Sequence, residues 1–385
     1  MGIYLNPGND LFAQALSSEI YVDKSMLIRL TNERLNSNDR HICISRPRRF
    51  GKSMAANMLV AYYSRNCDSK ELFSSLAIAD TLDFEDHLNK YNVIHLDMTR
   101  FASKAPDVKG MIDRLELTLK QELSELCADI SYPDFYSSDE ILTLIYNKYR
   151  IPFVFIIDEW DCVFRIHKND IEGQTAYLDY LKILLKDRPY VALDYATGIL
   201  PVKKYGQHSA LNMYCEYSII DAEPFAEYMG FTESEVQGLC RRFDMPFDEM
   251  KGWYNGYHVG DTSIYNPQSV VNACLRKRFS NYWTKTETFE ALKIYIQLDM
   301  DGLRNDIIRM IAGEQVSVNT NKFQNDMVTM NSADDVITLL IHLGYLTYDY
   351  EKNVAWIPDK EVRQEFINCI EDGGWEEVMN SLRRS

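Results

Sequence analysis

Three stretches of this chain carry side chains suited to phosphate chemistry. The first is Arg46-Pro47-Arg48-Arg49-Phe50-Gly51-Lys52-Ser53, set between the apolar run His41-Ile42-Cys43-Ile44-Ser45 and a segment from Met54 to Arg65 that reads as helix. Strand, loop, helix, with Gly-Lys-Ser at the turn, is the order a phosphate-binding loop needs. Backbone N–H groups curl around the anion, and the helix points the positive end of its dipole at it. In such a loop Lys52 reaches the β- and γ-phosphates and the Ser53 hydroxyl ligates Mg²⁺. Arg46, Pro47, Arg48, Arg49, Phe50, Gly51 and Met54 are then the residues lining the nucleotide. The loop departs from the usual G-x-x-x-x-G-K-[ST] pattern: Arg46 stands at the first Gly, and Pro47 has no N–H to give. Gly-Lys-Ser alone also describes an ordinary helix N-terminus, so the flanking strand and helix carry the reading.

The second stretch is Phe153-Val154-Phe155-Ile156-Ile157-Asp158-Glu159. A continuous apolar run reads as a strand buried on both faces of a parallel sheet. Two acids at the end of such a strand are costly unless they serve a cation or a water. Asp158 suits the Mg²⁺ shell, and Glu159 suits the base that polarises the attacking water. Asp161 is close enough to orient the pair. The third stretch, Val191 to Thr197, reads as a strand ending at Gly198. Thr197 has two readings: a γ-phosphate sensor on a strand beside the acids, or a plain strand-end threonine before a turn.

The elements that must position these groups follow from patterning. Tyr91 to Asp97 reads as a strand. Met111, Leu115, Leu119 and Leu123 recur at helical spacing within 107–127, and Ser137 to Glu140 caps a helix running to Tyr149. Thr175 to Lys186 is a further helix, and Tyr214 to Ile220 a fifth strand. Strands alternating with helices predict an α/β fold, a parallel sheet with helices on both faces and ligands at the carboxyl ends of its strands. From about residue 222 the texture becomes mostly helical, with a capping box at Thr232 and Glu235 and aromatic runs such as Trp253 to His258, read as packing. Ser332 caps a helix ended by Gly344, and a hairpin follows around Glu351-Lys352, a winged-helix-like order. The expected division is a core over 1–222, a helical domain over 223–330 and the winged unit over 331–385.

Composition bounds the rest. The 385 residues are 46% hydrophobic and 25% charged, as in an ordinary globular protein. A net charge of −16 disfavours a protein that coats nucleic acid, so any such contact needs a local basic patch. With the acids Asp334, Asp335, Asp349 and Glu351 nearby, the winged unit is expected to dock onto the chain's own core rather than bind DNA. The eight cysteines are dispersed, with no C-x-x-C pair and hence no zinc or disulfide framework. No basic-then-apolar leader or membrane-length apolar run is present, so a cytoplasmic protein without a membrane partner is expected.

Taken together, the motifs resemble those of the bacterial AAA-ATPase-like family, whose hallmark is the Arg-Pro-Arg-Arg-Phe-Gly-Lys form of the loop. The matching pieces run in family order: Tyr21-Val22-Asp23-Lys24, the loop itself, Ile157-Asp158-Glu159-Trp160-Asp161, Thr197-Gly198-Ile199, Ser209-Ala210-Leu211-Asn212, Gly230-Phe231-Thr232, Trp253-Tyr254-Asn255-Gly256-Tyr257, Tyr265-Asn266-Pro267-Gln268-Ser269 and Leu343-Gly344-Tyr345-Leu346-Thr347. The resemblance implies a P-loop NTPase core of the AAA-like type with helical and winged-helix-like additions. Many members carry a further nuclease-like domain of the PD-(D/E)xK type, and no such motif is found here after Pro358-Asp359. The expected activity is Mg²⁺-dependent ATP hydrolysis driving a conformational switch. Lys52, Glu159 and Thr197 are its catalytic residues and Ser53 with Asp158 its metal ligands. ATP is preferred over GTP because no Asn-Lys-x-Asp motif appears. Two alternatives remain open: a nucleotide-gated binding module with little hydrolysis, and a winged-helix nucleic-acid-binding regulator. A homo-oligomer or a protein partner is compatible with either.

Overall fold

The computed structural model describes residues 2–202, 211–260, 262–283, 292, 296, 300, 302–324 and 330–372. Ser209 and Ala210 of the motif series, and 373–385 of the expected winged unit, lie outside them. The chain forms two compact units. One comprises Met1–Ile44 and Lys52–Glu216; the other comprises Ser45–Gly51 and Tyr217–Ser385.

In the first unit, apolar runs make a sheet because they can be covered on both faces. β1 (His41–Ser45), β2 (Asn92–Asp97), β3 (Phe153–Asp158), β4 (Val191–Gly198) and β5 (Cys215–Tyr217) form one sheet in the order β2-β3-β4-β1-β5. β2, β3 and β4 are parallel, with Asp97 opposite Asp158 and Ile157 opposite Ala196. Every residue of β1, β3 and β4 is buried, which accounts for runs that do not alternate. The first helix after β1, α1 (Lys52–Tyr63), is buried nearly all round and packs on β3 and β4.

On the other face, α2 (Val108–Leu126) lays Met111, Leu115, Leu119 and Leu123 into one core with Phe153, Phe155 and Ile157. The core also takes in α3 (Ser138–Tyr149) and α4 (Ile171–Leu185), the latter through Tyr177, Leu178 and Leu181. The four α2 side chains are at most 1% exposed, each worth about 1.5–3 kcal/mol of burial. Sequence signals set the helix ends: Asp107 accepts from the Gly110 amide at 2.7 Å, and Ser137 with Glu140 closes a capping box on α3.

The second unit is mostly helical, as expected, but 223–330 also holds a small antiparallel sheet that patterning did not reveal. β6 (Phe231–Thr232), β7 (Asn255–Val259) and β8 (Thr262–Tyr265) pair in the order β6-β8-β7. The aromatic run ends α6 (Phe247–Tyr254) and begins β7, and Tyr254 and Tyr257 are fully buried, so these rings do serve packing. Gly256, at φ +148, lets this backbone lie against Pro358, whose carbonyl oxygen would be 1.8 Å from any Cβ there. α5 (Glu233–Arg242) starts with the Thr232–Glu235 capping box. Asn266 caps α7 (Pro267–Arg276) through Gln268 N at 2.9 Å.

Further on, α8 (Leu303–Ile311), β9 (Val316–Ser317), α9 (Ala333–Leu343) and the hairpin β10 (Thr347–Asp349) to β11 (Val354–Trp356) follow in turn, with β9 paired to β11. α9 stops at Gly344, φ +87, and α10 (Lys360–Asp372) succeeds the hairpin.

Candidate nucleotide site

Two polar strand ends meet at one edge of the first unit's sheet. β3 ends at Asp158, which is 6% exposed, and β4 ends at Thr197, which is fully buried. The Thr197 hydroxyl donates to Asp158 Oδ1, which also accepts from the Glu159 amide at 3.1 Å. β4 lies between β3 and β1, so the threonine strand stands between the acidic strand and the strand that feeds the loop. Glu159 then takes a left-handed φ of +56, and the Trp160 amide bonds the Thr197 carbonyl at 3.0 Å. A non-glycine residue in that region costs about 1–3 kcal/mol and is typical of functional corners. Here it turns Glu159 off the strand axis, bringing Oε1 to 3.8 Å from Lys52 Nζ.

The charges around that contact are dense. Lys52, at the start of α1, is 5% exposed. Burial lowers its pKa from the usual lysine value, while Glu159, Asp158 and Asp161 oppose the change. Burial pushes Glu159 above the usual carboxylate range, against the pull of Lys52 and Arg165. Arg165 lies on a short helix, Cys162–Ile166, and binds Glu159 Oε2 through Nη2 while its Nε sits 3.3 Å from Asp161 Oδ2. Burial works against its charge, yet Asp161 and Glu159 hold its pKa above the ordinary arginine value. Asp161 is fully buried and accepts from the Ile199 and Leu200 amides at 3.1 and 2.9 Å, which ties the segment after β3 to the segment after β4. Gly198 lets them meet: a Cβ there would lie 2.7 Å from Trp160 Nε1 and 2.8 Å from Asp161 Oδ1.

The loop before Lys52 belongs to the second unit. Arg46, at the position of the usual first Gly, is fully buried and donates to the Ser45 and Tyr217 carbonyls at 2.8 and 2.9 Å. Its guanidinium serves backbone oxygens, so Arg46 stands in the loop as a brace. Pro47 packs on Gly344, Phe50 meets Tyr257 edge to face at 5.1 Å, and the Arg48 carbonyl accepts from the Trp283 indole at 3.2 Å. Arg49 is exposed with φ +71, and Gly51 has φ +92 with open space where a Cβ would be. Ser53 and Met54 are exposed on the first turn of α1.

Lys52, Asp158, Glu159 and Thr197, distant in sequence, thus come together. Ser53 adjoins them on α1, Arg46 is engaged by backbone carbonyls, and the side chains of Pro47 and Phe50 pack within the second unit. Sequence reading missed Arg165, whose i,i+4 relation to Asp161 shows only once the short helix is known. It also missed Asp97, which the strand register sets beside Asp158. Among the described residues no cluster of three or more His, Cys, Asp or Glu side chains could hold a metal by itself. One serine and one aspartate next to a phosphate loop fit Mg²⁺ instead, because that ion takes one or two protein ligands and completes its shell with phosphates and water.

A sheet with a phosphate loop after β1, acids after β3 and a polar residue after the strand between them defines a P-loop ATPase fold. The predicted AAA-ATPase family model matches residues 12–207, and the chain belongs to that AAA-ATPase-like family. A curated relative, an uncharacterized protein in the vnfD 5′ region of Azotobacter chroococcum mcd 1, is 25% identical over 256 residues. That match covers 64% of this chain and 48% of the relative, so the chain spans about half the length of the curated relative it matches. Similar solved structures include the Walker-type ATPase PABY2304 of Pyrococcus abyssi, 14% identical with a TM-score of 0.43, covering 89% of this chain and 94% of that one. The ORC2 protein of Aeropyrum pernix, as its ADPNP-ADP complexes, is 12% identical with a TM-score of 0.37, covering 94% and 98%. None of the helices among the described residues is long and apolar enough to cross a membrane.

Proposed function

We propose that this protein binds Mg²⁺–ATP and hydrolyses it, using the cycle as a conformational switch. The observation that carries the reading is the approach of Lys52 to Glu159, beside an Asp158 that is itself held by Thr197. Lys52 is the cation for the β- and γ-phosphates. Its present partner, Glu159, is a placeholder that the phosphates displace. Ser53 and Asp158 are the ligands of Mg²⁺, which neutralises developing phosphate charge when bound. Thr197 orients the Asp158 carboxylate, and Glu159 accepts the proton of the attacking water. We assign the protein to the cytoplasm, and residues 331–385, with α9 and the β10–β11 hairpin, to a winged-helix-like unit that docks on protein.

The test is nucleotide titration and steady-state turnover of the full chain. Lys52→Ala is expected to abolish binding. Glu159→Gln is expected to keep binding and lose about 10²–10⁴-fold in turnover. Equal turnover in wild type and Glu159→Gln overturns the role of Glu159.

The Arg165–Glu159 ion pair favours a second reading, in which nucleotide is bound and only slowly hydrolysed. A base that is already ion-paired is a poor proton acceptor, and Pro47 removes one loop amide. Tight ATP binding without phosphate release would favour it.

A further inference from the structure

Pro47, the Arg48 carbonyl and Phe50 each have a seat in the second unit, and those seats are linked to one another. Pro47 lies against Gly344, where a Cβ would come within 2.6 Å of the proline Cβ and 3.5 Å of Trp283 Cη2. Phe50 rests on Tyr257, whose hydroxyl donates to the Gly344 carbonyl at 2.8 Å. Trp283 is 1% exposed, packs on Tyr345 with ring centroids 5.5 Å apart, and donates its indole N–H to the Arg48 carbonyl. Trp283 is fixed in turn by Glu361, at the start of α10. That carboxylate accepts from the Trp283 amide at 2.6 Å, the Tyr282 amide and the Ser269 hydroxyl at 2.6 Å.

The Trp283 bond has a directional consequence. In a trans peptide the C=O and the next N–H point in opposite directions. A carbonyl of Arg48 drawn to the indole therefore turns the Arg49 amide away from it. A phosphate loop works by presenting amides to an anion and keeping carbonyls off it, and Pro47 has already removed one amide. The orientation of the Arg48–Arg49 peptide is then worth more than in a loop with a full set of donors.

We propose that Trp283, held by Glu361, is a positioning residue for the nucleotide: it fixes the Arg48–Arg49 peptide so that the loop's amides face the phosphates. This rests on the ATP-binding reading above. Trp283 touches no reacting atom, so its effect falls on nucleotide affinity rather than on chemistry.

The experiment compares full-length wild type, Trp283→Phe, Glu361→Gln and Lys52→Ala by fluorescent-ATP titration, KM and kcat, and thermal melting. Trp283→Phe keeps a ring and loses the donor. Its KM and Kd for ATP are expected to rise about tenfold, with kcat within about twofold and the melting temperature little changed. Glu361→Gln is expected to give the same split, smaller in size. Wild-type affinity in Trp283→Phe overturns the proposal, as does a fall in kcat with KM unchanged. If wild type and Lys52→Ala are alike in binding no ATP, the ATP-binding reading itself has failed. Should Trp283→Phe not fold, hydrogen exchange on the wild type decides. ATP must protect the 281–283 peptide together with 46–51, and protection confined to 46–53 overturns the proposal.

Discussion

Glu159 is held by two cations of different kinds, and they need not act alike. Lys52 faces it across 3.8 Å from the head of α1, while Arg165 binds its other oxygen. Both pull its pKa down against burial. Removing Arg165 therefore raises the pKa of Glu159, and the carboxylate form is lost at a higher pH. Arg165→Gln is expected to move the acidic limb of the pH–turnover profile upward, with the alkaline side unmoved; a limb that stays put or moves down counts against the pairing. The acids and the threonine were legible beforehand because they close apolar strands, and the lysine because it follows Gly51 at a strand–loop–helix junction. Arg165 was not legible. It lies on a five-residue helix directly after the strand, too short for any periodicity to show. The left-handed Glu159 that aims the carboxylate leaves no mark in composition either.

Elements with long repeats were readable and short ones were not. α2 was expected over 107–127 and spans Val108–Leu126, since 19 residues give several turns of apolar spacing. The β6-β8-β7 sheet was missed because its strands have two to five residues, and β7 starts directly at the end of α6. What fixes β7 is tertiary: the close passage of Gly256 by Pro358. Gly256→Ala is expected to destabilise the protein by about 3 kcal/mol or more, read by chemical denaturation, because backbone must move on both sides.

α9 carries a second testable feature, His342, which is buried, stacked on Phe323 at 5.8 Å, and pushed down to about 3 by desolvation. Its folded pKa lies below the unfolded value, so the unfolded chain binds a proton that the folded chain refuses. The stability it permits is complete above about pH 6.5 and is lost as pH falls toward 3. His342→Phe should flatten the acid side of the stability–pH curve, removing about 3 kcal/mol of the loss between pH 7 and pH 4. An unchanged curve refutes the assignment.

At the scale of the molecule, only the folded state assembles Lys52, Asp158 and Thr197, from the head of α1 and the ends of β3 and β4. A ligand of that site therefore stabilises the native state by mass action. ATP with Mg²⁺ at 100 times Kd should add about 2.7 kcal/mol, a rise of about 3 °C in melting temperature for a chain of this size. Lys52→Ala should show no rise, and an equal rise in both would locate the binding elsewhere. Sequence order gave the order of the strand ends, but it could not show that Ser45–Gly51 would group with residues from 217 onward. Three contacts accompany that grouping, Pro47 on Gly344, Phe50 on Tyr257 and Arg48 on Trp283, and each pairs residues about 200 or more positions apart.

That grouping constrains how the family can be recombined. A chimera that joins this N-terminal half to a relative's C-terminal half at Glu216 would match native Ser45–Gly51 against foreign seats for its proline, phenylalanine and arginine carbonyl. The donor's own seven loop residues have to travel with its C-terminal half, as an inset within the recipient's first hundred positions. If the loop binds nucleotide as proposed, crossovers that leave them behind are the ones expected to produce folded hybrids with weakened nucleotide binding.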